Sequence, residues 1–131
     1  MRQINPLTRK QVQDLLRKKQ PLDGLDLRSA DLKGLVFDGR SMRAAKLAEA
    51  TLEGCSFRQA DLTGASLWNA KLAGSSFEGA CLEGADLDMA DLNGCVFKSA
   101  RVKGACFPSG TSGANVIHTS VKTGRPVRMG R

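Results

Sequence analysis

The spacing of large apolar residues constrains this chain more than any other feature. From Leu22 to Phe107 such a residue occupies every fifth position without a gap. The eighteen centres are Leu22, Leu27, Leu32, Phe37, Met42, Leu47, Leu52, Phe57, Leu62, Leu67, Leu72, Phe77, Leu82, Leu87, Leu92, Phe97, Val102 and Phe107. Two residues before most centres lies a small residue, such as Ala60, Ala65 or Ser75. The chain is therefore a run of five-residue units with two inward side chains each.

Neither regular secondary structure accommodates a period of five. A helix rotates about 100° per residue, so a step of five rotates about 140° and scatters the centres around the helix. A straight strand places alternate centres on opposite faces, because five is odd. Each unit must contain a bend, and the glycine two residues after many centres, such as Gly84, allows one. We therefore expect a short extended piece followed by a corner.

A second period indicates how many units make one coil. Phenylalanine recurs every twenty residues, at Phe37, Phe57, Phe77 and Phe97. In the same register, the residue two before each phenylalanine departs from alanine: Leu35, Cys55, Ser75 and Cys95. Four units therefore close one coil, and like residues stack on like in successive coils, as in a solenoid. One wall of the core is predicted to be a ladder of phenylalanine rings.

The repeat resembles that of the pentapeptide-repeat proteins, whose consensus is A(D/N)LxX. Matching runs start at Ala30, Ala60, Ala85 and Ala90, and the resemblance covers residues 21–107. It implies an all-β fold, a right-handed quadrilateral β-helix with the central residue and the one two before it inside. Arg40, at an inward small-residue position, and Met42 depart from the pattern. We expect a looser corner there, in the second coil.

The two ends differ from the repeats. Residues 1–20 predict a short capping α-helix, because Thr8 to Gln11 form a capping-box pattern and Val12, Leu15 and Leu16 follow at helical spacing. The favoured role of this helix is a lid on the first coil, and the alternative is binding of phosphate or an anionic membrane through its basic face.

Residues 108–131 form a basic C-terminal tail that begins with turn residues. The tail is either disordered or a pairing of 116–121 with 127–129, and we expect it to pack on a neighbour or on the open end of the coil. The division is thus 1–20, 21–107 and 108–131.

Charge distribution argues against nucleic acid as the partner. The net charge is +7, but the first twenty residues carry +5, the last twenty-four +4 and the repeats −2. Basic ends alone would give salt-dependent binding to nucleic acid, yet they contain no aromatic residue for base stacking.

Cys55 and Cys95 are two coils apart, about 9–10 Å, too far for a disulfide. With no signal-peptide pattern or membrane span, we expect a bacterial, cytoplasmic protein that does not bind membranes.

Two outward residues are candidates for contact with a protein partner. Trp68 and Met89 are predicted on one wall in adjacent coils, beside an acidic band in 72–97 that includes Asp86 and Asp88. An exposed Trp next to an exposed Met suggests a contact site. The alternative interpretation is an isolated Trp lying along the wall.

No residue pattern supports catalysis, a cofactor or a metal site. His118 is the only histidine, and no metal-ligand spacing occurs. We therefore expect a non-enzymatic protein-binding or scaffold module. A homodimer through the C-terminal coil is part of this hypothesis, because Phe107 would otherwise face water, and Phe107 and Val102 are the candidate residues of that end interface. The alternatives are modulation of gyrase by DNA mimicry, which the family resemblance suggests, and nucleic-acid binding by the tails.

Overall fold

The repeats form a four-sided β-helix. The computed structural model describes residues 6–109 and 111. Among these residues the only helix is α1, Arg9–Arg17, and β-structure consists of isolated parallel bridges rather than longer strands. Every bridge joins a residue to the one twenty positions later, from Asp26 with Lys46 to Asp86 with Cys106. Four units therefore make each coil, as the phenylalanine period predicts.

The four sides are numbered here by their centres. Side one is centred on Leu22, Met42, Leu62, Leu82 and Val102, and side two on Leu27, Leu47, Leu67, Leu87 and Phe107. Side three is centred on Leu32, Leu52, Leu72 and Leu92, and side four on Phe37, Phe57, Phe77 and Phe97. All eighteen centres are buried. The interior is thus a narrow apolar column built from every fifth residue.

Backbone hydrogen bonds between coils fix the register. The Leu27 amide donates to the Lys46 carbonyl at 2.7 Å, and the Lys46 amide donates back to the Leu25 carbonyl at 2.9 Å. The same two bonds recur from coil to coil along each side. Because every coil pairs with the next in this way, the buried backbone groups of the column are satisfied without long strands.

Side four carries the predicted ladder of phenylalanine rings. Successive ring centroids lie 5.0, 4.9 and 5.2 Å apart from Phe37 to Phe97, and neighbouring rings are within 7° of parallel. Beside the ladder, the Cys55 thiol, the Ser75 hydroxyl and the Cys95 thiol donate to the carbonyls of Leu32, Leu52 and Leu72. Polar donors therefore replace alanine where a core carbonyl can accept a second bond.

Helix α1 covers the first coil as predicted. The capping box is present: the Gln11 amide donates to the Thr8 hydroxyl, and the Thr8 amide donates to the Gln11 side chain at 2.9 Å. Val12 is fully buried, and Leu15 and Leu16 pack on the same core. Just before the helix, the Leu7 amide donates to the Asp26 carbonyl at 2.9 Å. The N-terminal segment thus supplies both apolar cover and a hydrogen bond to the first coil.

The expectation of a looser corner at Arg40 and Met42 is wrong. Met42 is fully buried, and its amide donates to the Asp61 carbonyl at 2.7 Å, as in the regular coils. Arg40 does not enter the column. Its guanidinium donates to the Leu16 carbonyl at 2.7 Å, near the C-terminal end of α1. The departure from alanine is explained by the helix that Arg40 holds.

The C-terminal end differs from the prediction. Phe107 was expected to face water but is 0% exposed, and Val102, the other candidate of the end interface, is 3% exposed. Phe107 belongs to side two, yet its ring packs edge-on against Phe97 of the opposite side, with centroids 5.6 Å apart. The ring therefore reaches across the interior to the phenylalanine ladder of side four. The strand pairing predicted for 116–121 and 127–129, and His118, lie outside the described residues, and the division into three segments stays a prediction.

Candidate contact surface

The edge between sides two and three carries an unusual set of outward residues. At every corner the second turn residue has a positive φ, and at most corners it is glycine. On this edge the column contains no glycine: Ser29, Glu49, Asn69 and Met89 occupy it with φ between 56° and 67°. A left-handed backbone is least favourable for a long side chain such as that of Met89. Each described coil thus projects a side chain at this edge, whereas the other corners have glycine in most coils and Ala44, Gln59 or Ser99 in the rest.

Trp68 and Met89 are exposed and lie in adjacent coils, as predicted. Their side chains are 40% and 61% exposed. The Asn69 amide, directly after Trp68, donates to the Asp88 carbonyl, directly before Met89, at 2.9 Å. Among the described residues the other large exposed apolar side chains are Val36 and Val96, three coils apart on side four. An apolar pair on neighbouring coils therefore occurs at this edge.

A surface cleft of about 630 Å³ lies along the same edge. It is lined by Glu49, Glu53, Asn69, Ala70, Lys71, Met89 and Asp91. We call Trp68 and these lining residues the contact edge. Asp91 belongs to the acidic band that the sequence placed beside Met89, but the sequence prediction missed Glu49 and Glu53. The twenty-residue period would have found Glu49, because Glu49, Asn69 and Met89 share one column.

The two predicted acidic residues play different parts. Asp88 follows Trp68 by one coil in the same column and is half-buried. Asp86 is also half-buried, and its carboxylate accepts a hydrogen bond from the Asp88 amide at 2.9 Å. The same local bond forms at Asp31, Asp61 and Asp91. Asp86 therefore stabilises the turn, as consensus aspartates do, while Asp88 lies beside the exposed Trp.

Three arginines elsewhere on the column are paired with acids of a neighbouring coil. Arg43 contacts Asp61 at 3.1 Å, Arg58 contacts Glu78 at 3.5 Å, and Arg101 contacts Glu83 at 3.1 Å. Burial raises the pKa of Asp61, but hydrogen bonds from Thr63 and Arg43 outweigh it and bring this pKa below its usual range.

The acids of the contact edge are not among these pairs. Within the described part of the chain, Glu49, Glu53 and Asp91 form no ion pair within 4 Å. The Glu49 carboxylate accepts only a long bond of 3.5 Å from the Asn69 amide group. The cleft thus combines these three acids with Lys71 and the exposed Met89, and its lining has a net negative charge.

The described residues show few features of a metal site or of a reactive nucleophile. Over residues 6–109 and 111, no group of three or more His, Cys, Asp and Glu side chains is placed to hold a metal ion. The cysteines at 55, 81, 95 and 106 are free thiols. Burial raises the pKa of Cys55 to about 11 and that of Cys95 to about 12, which makes both poor nucleophiles at neutral pH. No helix in the described part is long and apolar enough to cross a membrane.

The four-sided coil with one bridge residue per side defines the class of the protein, a right-handed quadrilateral β-helix. The family model for pentapeptide repeats matches residues 22–59, 41–79 and 75–108, with eight copies. The chain belongs to the pentapeptide-repeat family, and the predicted family and fold are confirmed. Proteins of this family are generally structural or binding modules.

Solved structures of other family members resemble the chain. HetL from Nostoc sp. strain PCC 7120, a protein involved in heterocyst differentiation regulation, is 27% identical with a TM-score of 0.57, over 66% of this chain and 40% of HetL. Rfr23 from Cyanothece 51142 is 28% identical with a TM-score of 0.56, over 80% and 61% of the two chains. The protein alr5209 from Nostoc PCC 7120 is 22% identical with a TM-score of 0.65, over 96% and 99%. The match thus spans less than two thirds of HetL and Rfr23, and no curated protein sequence matches significantly.

Proposed function

We propose that this protein is a non-enzymatic, cytoplasmic scaffold that binds a protein partner through the contact edge. The observation that carries the proposal is the exposed pair Trp68 and Met89 on adjacent coils, beside a cleft lined by acids that form no ion pair among the described residues. Aromatic and methionine side chains are enriched at the centres of protein interfaces, and a polar rim surrounds them. The partner is a protein surface that offers an apolar side chain flanked by basic residues.

Rigidity supports this role. The amides of Glu49, Asn69 and Lys71 donate to carbonyls of neighbouring coils, as in the bond of the Glu49 amide to the Trp68 carbonyl at 2.8 Å. A surface that is already ordered loses little conformational freedom when it binds. The column therefore presents the edge in a form ready for contact.

Affinity capture with matched variants tests the proposal. The tagged full chain is compared with Trp68→Ala, Met89→Ala and Val36→Ala in a lysate of the source organism. Val36 is the control, because it is 57% exposed but lies on side four. We expect Trp68→Ala to weaken capture of a specific protein by about thirtyfold, the effect of a typical interface hot spot of about 2 kcal/mol. Equal capture by all four chains would overturn the proposal.

A homodimer through the C-terminal coil is the second candidate. The buried Phe107 and Val102 side chains do not favour it, but the backbone does. On sides three and four no bridge joins the coil of Asp91 and Val96 to a later one among the described residues. A sheet edge that is unpaired within its own chain pairs readily with another chain. Light scattering over a range of concentrations tests it, and a monomer throughout would exclude the dimer.

Gyrase modulation by DNA mimicry is a weaker alternative. A mimic of DNA needs a continuous unneutralised acidic surface, whereas Asp61, Glu78 and Glu83 are paired with arginines of neighbouring coils. The repeats carry a net charge of only −2. Inhibition of gyrase supercoiling by the pure protein would support this alternative, and no effect at large excess would exclude it. Nucleic-acid binding by the basic tails predicts an affinity that falls steeply with salt.

A further inference from the structure

The last described residues, which follow the final coil, lie next to the contact edge. After Phe107, residues Pro108, Ser109 and Thr111 lie beside 90–93 around a second cleft of about 200 Å³. The Thr111 amide donates to the Pro108 carbonyl at 3.1 Å, which forms a turn at this point. Asp91 lines both this cleft and the larger cleft of the contact edge. The segment that follows Thr111 therefore starts at the border of the contact edge.

The sequence of that segment complements the edge. Residues 112–131 contain Lys122, Arg125, Arg128 and Arg131 and no acidic residue. Val127 and Met129 alternate with these basic residues. The edge offers the reverse pattern: the cleft lined by Met89 carries the acids Glu49, Glu53 and Asp91 against one base, Lys71, and the exposed Trp68 lies on the adjacent coil. This is the chemistry that the proposed function assigns to a partner: apolar side chains flanked by positive charge.

The distance is short compared with the length of the segment. An extended chain covers about 3.3 Å per residue, so ten residues beyond Thr111 reach about 33 Å. The contact edge spans the second to fourth coils, about 10 Å along the axis at the usual spacing of paired strands. A short tether raises the local concentration of a bound segment to the millimolar range. Weak ion pairs with a few apolar contacts are then sufficient for binding.

We propose that residues 122–131 bind the contact edge of the same chain and compete there with the protein partner. This inference rests on the proposed function of the edge as a contact surface. The bound segment covers Trp68 and Met89 with Val127 and Met129, and its basic side chains lie among Glu49, Glu53 and Asp91. A partner with the same chemistry must displace the segment. The edge is therefore regulated by charge within one chain.

Trp68 reports on this contact because it is the only tryptophan in the chain. The test variant is the full chain with Lys122→Gln, Arg125→Gln, Arg128→Gln and Arg131→Gln. The control carries the same charge change at exposed residues outside the edge: Lys10→Gln, Lys18→Gln, Lys19→Gln and Lys98→Gln, the last of which lies on side four. Acrylamide quenching of Trp68 is measured for all three proteins. At low salt we expect quenching to rise about twofold in the test variant, and wild type to reach the same value at about 0.5 M salt, where the Debye length is about 4 Å.

Charge reversal gives an independent check. Replacing the four basic residues of the segment by Glu should expose Trp68, and adding Glu49→Lys, Glu53→Lys and Asp91→Lys should protect it again. Quenching that is the same in wild type and test variant, at every salt concentration, would overturn the proposal. Protection that grows with protein concentration would also overturn it, because the segment would then come from a second copy.

Partner capture separates this inference from the proposed function. If the segment competes with the partner, the test variant should capture more partner than wild type. If capture depends on Trp68 but is unaffected by the test variant, the competition is absent and the contact edge stands. If capture does not depend on Trp68 at all, the proposed function fails, whatever the quenching shows.

Discussion

The Arg40 guanidinium donates a hydrogen bond of 2.7 Å to the Leu16 carbonyl and so connects the second coil to the end of α1. Later coils have Ala60, Ala80 and Ala100 in the same column as Arg40, and all three are buried. The coil itself therefore accommodates alanine at this position. The arginine is needed for the helix, whose last carbonyls lack partners within the helix and favour positive charge.

Replacing Arg40 with alanine should release α1 and leave the coils intact. We expect a loss of about 1.5–3 kcal/mol, because a hydrogen bond from a charged donor is removed at a partly buried site. Hydrogen exchange should accelerate in 9–17 but not in the third and fourth coils. Arg43→Ala is the control, since its contact with exposed Asp61 should contribute less than about 1 kcal/mol. Equal effects of both variants on α1 would contradict this role of Arg40.

Substitutions at two neighbouring residues of side two should have very different effects on stability. Leu67 is fully buried and Trp68 is 40% exposed. Leu67→Asp should unfold the protein, because a carboxylate would enter the column without a partner. Trp68→Ala should change the free energy of unfolding by less than about 1 kcal/mol, as at most surface positions. Circular-dichroism melts check both, and a native melt for Leu67→Asp would show that the inward register is wrong.

The buried thiols predict a fall in stability at high pH. Burial raises the pKa of Cys55 to about 11 and of Cys95 to about 12, whereas an unfolded thiol titrates near 8.5, about its ordinary value. Above the unfolded pKa the unfolded chain loses these protons and the folded chain keeps them, so stability falls as pH rises towards the folded values.

A double variant, Cys55→Ser with Cys95→Ser, isolates this effect. Serine is already accepted in the column at Ser75, which is fully buried and bonds to the Leu52 carbonyl at 2.7 Å. Between pH 8 and pH 10.5, denaturant unfolding should show wild type losing about 1–2 kcal/mol more per thiol than the variant. Parallel pH profiles for the two proteins would exclude titration of the thiols as the cause.

The hydroxyl of Ser75 should contribute measurably to stability. Ser75→Ala removes its bond to the Leu52 carbonyl, which should lower the free energy of unfolding by about 1 kcal/mol. Ser75→Cys should be better tolerated, since Cys55 and Cys95 make the equivalent bond in the coils on either side. Equilibrium denaturation measures both, and a more stable Ser75→Ala would mean that the bond adds nothing.

The sequence predicted the column well because its inward positions repeat without a gap. Leu67 and Trp68 were assigned to inside and outside from the five-residue period, and the phenylalanine ladder from the twenty-residue period. The repeat period does not predict contacts that occur only once in the column. Arg40 appeared as a defect until α1 was placed beside it, and Phe107 appeared exposed because nothing in the repeat indicates a ring crossing the column. Glu49 and Glu53 were missed because the acidic band was read along the chain and not down a column.

Photo-crosslinking in cells tests the central claim, that a protein partner binds the contact edge. A photoreactive aromatic residue is placed at position 89, and in a separate chain at position 36 as the control. The two native side chains are 61% and 57% exposed, so both probes are accessible. We predict an adduct of higher mass with a specific protein from position 89 and none from position 36, with the adduct lost on Trp68→Ala. No adduct from position 89, or the same adduct from both positions, would contradict the assignment of this edge as the contact surface.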